Sequence, residues 1–161
     1  MSTHLALYTD MQARCMIHYQ FIEESLRFCL YRCHTLIQFR LVGKLPYAVP
    51  LKMIDDAAMG RLIELFKPYT GNESLISKLR LINNHRDALA HQGLMLIDDE
   101  QAESQHLSDK SQELKAFLSE AEHCVAMIRQ EAQMLDEIVK QEYQGLEQEA
   151  VADIEIIPPL R

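Results

Sequence analysis

Apolar residues recur at Leu7, Met11, Cys15, Ile22, Leu26, Cys29, Leu30, Cys33 and Ile37. Residues three and four apart stack on one side of an α-helix, so this spacing keeps one face apolar. It predicts a long helix over about 4–39, with room for one break. "VGKLPYAVP" then stops the pattern with Gly43, Pro46 and Pro50, since proline removes a backbone donor and clashes with the preceding turn. Ile54, Leu62, Ile63, Leu65 and Phe66 predict a shorter helix over about 54–66, closed by Pro68. Asn72 is placed to cap the next helix, with Glu73 in its first turn. Leu75, Ile76, Leu79, Ile82 and Leu89 give that helix its core face. It is expected to end near Gln92, with Gly93 as the left-handed residue just beyond. "LMLI" is expected to extend briefly before the polar loop "DDEQAESQHLSD". From near Ser108 a last stripe runs through Leu114, Phe117, Leu118, Ala121, Val125, Ile128, Leu135, Ile138 and Val139. Unbroken to residue 148 it spans roughly 60 Å, longer than a small bundle, so its end protrudes or packs on a second subunit. The tail "ADIEIIPPLR" is expected to be extended. The pattern as a whole predicts an all-α fold, an antiparallel bundle of four to five helices, with one domain over 1–150 and a tail over 151–161.

Composition agrees with that picture and narrows the partners. A chain of 161 residues is long enough for one domain with a core, and five glycines and five prolines leave little irregular structure. The formal net charge of −8 argues against a protein held broadly on nucleic acid by charge, so no DNA partner is expected, and an anionic membrane surface is disfavoured too. A small local basic site stays open. No apolar run reaches the length of a membrane span, and "MSTHLALYTDMQARC" lacks the apolar core of a signal peptide. A cytoplasmic location is therefore expected, with Cys15, Cys29, Cys33 and Cys124 as reduced thiols. Cys29, Cys33 and His34 have the donor types for zinc. There is no second cysteine pair, however, and buried cysteine packs as a small apolar residue, so no metal or cofactor is expected.

One stretch departs from the stripe logic. "NNHRDALAHQG", residues 83–93, crowds Asn83, Asn84, His85, Arg86, Asp87, His91 and Gln92 around Ala88, Leu89 and Ala90. Asp87 and His91 are i and i+4, so the carboxylate can accept the Nδ1 proton of His91 and fix its tautomer. In the last turn His91 would also feel the helix macrodipole, which favours its charged form. Arg86 lies about 140° around the axis from His91, so one copy does not make a compact pair. The two bracket a groove, or a two-fold dimer brings both sets together. The alternative is a solvated helix end with Asn84, His85 and Gln92 facing water. On the first helix, His18, Glu23 and Glu24 are placed to approach this run, or to form a solvated face.

"RDALAH", residues 86–91, resembles the Arg-x(4–6)-His motif of the HEPN superfamily, with Asp87 at the polar position after the arginine. "YQFIEESLRFCLYRC" is similar to the first HEPN helix, "AMGRLIELF" to the helix leading to the motif, and "LRLINNHRDALAHQGL" to the helix that carries it. The likeness covers roughly residues 8–140 as a pattern, and only the motif is specific. It implies a HEPN-like bundle and a metal-independent endoribonuclease of toxin, phage-defence or stress type. It also implies a homodimer with one composite cleft, RNA as substrate, and an antitoxin or other protein partner. Carried over, Arg86 neutralises the scissile phosphate, His91 is general base or acid, and Asp87 orients one of them. His85, Asn84 and Arg80 are the expected substrate-binding residues, and Lys78, Arg27, Arg32 and Arg40 further sources of a locally basic cleft. Some family toxins carry a tyrosine two residues after the histidine that is modified by AMP. Gly93 stands there, so that regulation does not carry over. The alternative the family allows is a non-catalytic interaction module that holds a protein partner or a nucleotide.

Overall fold

A computed structural model describes the backbone of residues 3–98 and 104–155 and the side chains of residues 5–91 and 108–148. Its elements are α1 (Thr3–Leu41), α2 (Leu51–Asp55), α3 (Met59–Phe66), α4 (Glu73–Asp98) and α5 (Ser104–Glu155), with a single 3-10 turn, Lys67–Tyr69, before α4. Among the described residues there is no strand. The fold is an all-α helical bundle.

The core follows the two longest stripes. α1 buries Tyr8, Met11, Cys15, Tyr19, Ile22, Leu26, Cys29, Leu30 and Cys33, and α5 buries Leu114, Leu118, Ala121, Val125, Ile128, Leu135 and Val139. In α5 the steps alternate close to three and four, an average of about 3.5 that lets two helices pack along their length at a shallow angle. The cross-contacts rise together along both chains. Arg14 faces Glu122 at 3.9 Å, Arg32 faces Asp136 at 2.7 Å, and Arg40 pairs with Glu142. α1 and α5 therefore run parallel. α4 lies antiparallel to α5, with Lys78 against Glu120 and His85 against Phe117. α3 lies antiparallel to α4, with Glu64 against Arg80 at 2.7 Å and Gly60 beneath Asn83. Each of these buried aliphatic side chains contributes roughly 1.5–3 kcal/mol.

The cap expected at Asn72 is present: its Oδ1 accepts the Leu75 N–H at 3.0 Å. A second layer supports it. The Asn72 N–H donates to Thr70 Oγ1 at 3.1 Å, and the Thr70 hydroxyl donates to Glu131 at 2.7 Å. Glu131 is buried, and its carboxylate sits where the positive end of the α4 dipole favours it.

Four expectations are corrected. The helix expected over 54–66 is two helices, because the Ala57 carbonyl leaves the ladder to accept Arg27 Nη2 at 2.9 Å and Ala58 turns extended at ψ 159°. α4 does not stop at Gln92. It continues through Gly93 and "LMLI" to Asp98, since one interior glycine costs only about 1 kcal/mol and the residues around it are helix formers. Gly43, at φ 71°, is the left-handed glycine among the described residues, in the turn after α1. Finally, α5 begins at Ser104 rather than near Ser108, and it continues to Glu155, into the span expected to be an extended tail. Residues 156–161 lie outside the described residues.

Candidate functional site

The motif run lies on α4, and the fold divides its side chains among three surroundings. Arg86 points to α1. Its side chain is 34% exposed, with Nη2 3.5 Å from Glu23 Oε2 and Nη1 3.8 Å from Asp87 Oδ1. Both separations exceed an N–H···O hydrogen bond, so these are ion pairs that leave much of the donor fork open. Glu23 is better satisfied on its other oxygen, which accepts Arg27 Nη2 at 2.8 Å. Arg27 also donates to Glu24 at 2.8 Å and to the Ala57 carbonyl at 2.9 Å. Arg86, Glu23, Glu24 and Arg27 border an open groove of about 600 Å³, which Met16, Ile17, Tyr19, Gln20 and Asp55 also line.

Asp87 is exposed and takes a long contact from Asn83 Nδ2 at 3.4 Å, besides its pairing with Arg86. His91 is exposed too, and among the described residues no hydrogen bond joins it to Asp87. The helix runs almost two turns past His91, which therefore lies outside the last turn where the macrodipole acts.

The expected substrate-binding residues are dispersed. His85 turns inward and stacks on Phe117 of α5, with centroids 3.9 Å apart and planes 10° from parallel. Its Nδ1 is buried without a partner, and burial pushes its pKa down, which keeps the ring neutral. Arg80 is bound to Glu64 of α3 at 2.7 Å. Asn84 faces solvent. None of the three borders the groove. Of the other basic candidates, Lys78 pairs with Glu120, Arg32 with Asp136 and Arg40 with Glu142, while Arg27 borders the groove but is bound to Glu23 and Glu24. The basic cleft expected around the motif helix is therefore not assembled within one chain. Glu23, expected either to approach this run or to form a solvated face, does approach it and pairs with both Arg27 and Arg86. The Glu23–Arg27 spacing of four was the available signal, because it marks a carboxylate held on α1 rather than one loose in water.

The cysteines belong to the core. All four are buried free thiols. Burial pushes Cys29 and Cys124 up to about 12 and Cys33 up to about 11, so none is a nucleophile at neutral pH. His34, next to Cys33, bonds through Nδ1 to the Tyr47 hydroxyl. Among the described residues no group of three or more His, Cys, Asp or Glu side chains is arranged to hold a metal ion.

No family model, no curated protein and no solved structure matches this chain. Among the described residues no helix is long and apolar enough to cross a membrane.

Proposed function

We propose that the chain is a metal-independent endoribonuclease of HEPN type, with a toxin, phage-defence or stress role, acting at a composite site between two copies. The observation that carries this reading is the placement of Arg86. It borders an open groove and, among the described residues, is held only by ion pairs of 3.5 and 3.8 Å, while Lys78, Arg80 and Arg32 are paired with nearby carboxylates. RNA brings its own nucleophile, the 2′-OH. His91 takes that proton or returns one to the leaving 5′-oxygen, and Arg86 stabilises the charge that develops on phosphorus. The products are a 2′,3′-cyclic phosphate and a 5′-OH. Arg86 and His91 diverge by about 140° on one helix, so His91 comes from the second copy. Met16 and Ile17, exposed apolar residues of α1 beside the groove, support packing of that copy here. RNA cleavage in EDTA tests the reading: His91→Ala and Arg86→Ala should each lower cleavage about 10²–10⁴-fold. Equal cleavage by wild type and His91→Ala refutes it.

A second reading is a non-catalytic helical interaction module that binds a protein partner or a nucleotide. Glu23, Glu24 and Asp55 favour it, since three carboxylates against two arginines make the groove a poor host for a polyanion in a single chain. Absence of cleavage with Arg86 intact selects it.

A further inference from the structure

Glu23 does more than border the groove. One carboxylate oxygen is anchored by Arg27, which is itself pinned to the Ala57 carbonyl between α2 and α3. The other oxygen faces Arg86 at 3.5 Å. The relay runs from a backbone carbonyl through Arg27 and Glu23 to Arg86, so the position of the Arg86 side chain is set by an element remote from it in sequence. Glu23 and Arg27 are partly buried, at 17% and 15% exposure, so water competes less for them than for Arg86, which keeps 34%.

We infer that Glu23 is the positioning residue of the candidate site, holding the Arg86 guanidinium at the groove while leaving its remaining donors for a phosphate. This rests on the ribonuclease reading. A guanidinium has five donors in a planar fork, and one long ion pair restrains where the fork sits without using it up. Without that carboxylate, exposed Asp87 is the one ion-pair partner Arg86 keeps among the described residues, and its side chain samples many rotamers. The arginine that must meet the transition state then has to be ordered during the reaction. Positioning of this kind shows in kcat rather than KM, because the ground-state complex gains little from it.

Glu23→Gln keeps the size of the side chain and removes its charge. Two measurements on the intact protein test the inference. In arginine side-chain NMR, the Arg86 Nε–Hε resonance should shift and rotation of its guanidinium should quicken at least about twofold, while the Arg80 resonance, held by Glu64, stays in place. In RNA cleavage under EDTA, kcat should fall about tenfold with KM within about threefold. An Arg86 resonance that does not respond overturns the inference. So does an unchanged kcat, or a loss accompanied by movement of Arg80 and a large fall in melting temperature, which marks a collapse of packing. A wild-type protein that cleaves no RNA, yet whose Arg86 resonance responds to Glu23→Gln, overturns the ribonuclease reading and leaves the Glu23–Arg86 clamp in place.

Discussion

Arg27→Ala should destabilise the fold far more than deletion of an ordinary surface ion pair. The side chain is 15% exposed and makes three charge-assisted bonds, two at 2.8 Å and one at 2.9 Å. The bond to Glu24 contributes little, since that carboxylate is 64% exposed and water replaces the donor. The other two matter. Truncation leaves Glu23, at 17% exposure, with one long cationic contact, and strips the Ala57 carbonyl of its donor where α2 and α3 separate. Leaving a partly buried acceptor unpaired costs about 1–3 kcal/mol, and the open groove admits some water, so the sum is about 2–4 kcal/mol. For a chain of this size that lowers Tm by roughly 5–12 °C. Arg80→Ala is the control: its pair with Glu64 is about half exposed on both sides and should cost under about 1 kcal/mol. Arg27→Lys should recover less than half the loss, because one ammonium cannot serve three acceptors in a fork geometry. Circular dichroism at the helix band during thermal and urea unfolding reads all three. A melting point for Arg27→Ala within about 2 °C of wild type, or a loss no larger than that of Arg80→Ala, refutes the argument.

Other outcomes follow from the same geometry. Burial lowers the pKa of both His34 and His85, so each binds its proton more weakly in the folded chain. The stability they contribute is complete above the unfolded value of about 6.5 and is lost as pH falls towards and through the folded values. The urea midpoint should therefore be lower at pH 5 than at pH 7.5, and less so in His85→Gln; an equal shift in that variant would remove His85 from the account. The four buried thiols should resist a thiol-reactive dye in the native protein and all react on unfolding, and rapid labelling of the native chain would contradict the packing of α1 on α5. His91→Ala should leave the melting temperature within about 2 °C of wild type, because the side chain is exposed and no hydrogen bond or ion pair holds it among the described residues.

The helices were legible because their stripes are local: the faces of α1 and α5 can be read from spacing alone. The break between α2 and α3 was not, because its cause is a bond from Arg27 to Ala57 that crosses thirty residues of chain. Gly93 reads as a stop signal, yet a single glycine is a weak penalty against the continuing helix formers around it. At the site, the sequence separates Arg86 from His91 around the helix axis but is silent on which faces are covered. His85 looks like a polar surface residue until Phe117, on another helix, supplies its stacking partner. The basic candidates likewise look available, because their carboxylate partners on α3 and α5 come near only in the folded bundle.

The composite site is tested most directly by mixing two inactive variants. Arg86→Ala retains His91, and His91→Ala retains Arg86, so a mixed dimer holds one complete pair across its interface. After co-refolding in EDTA, the mixture should regain RNA cleavage well above either variant alone. A mixture that stays as inactive as its components, beside a wild-type protein that cleaves, would contradict a site shared between two copies.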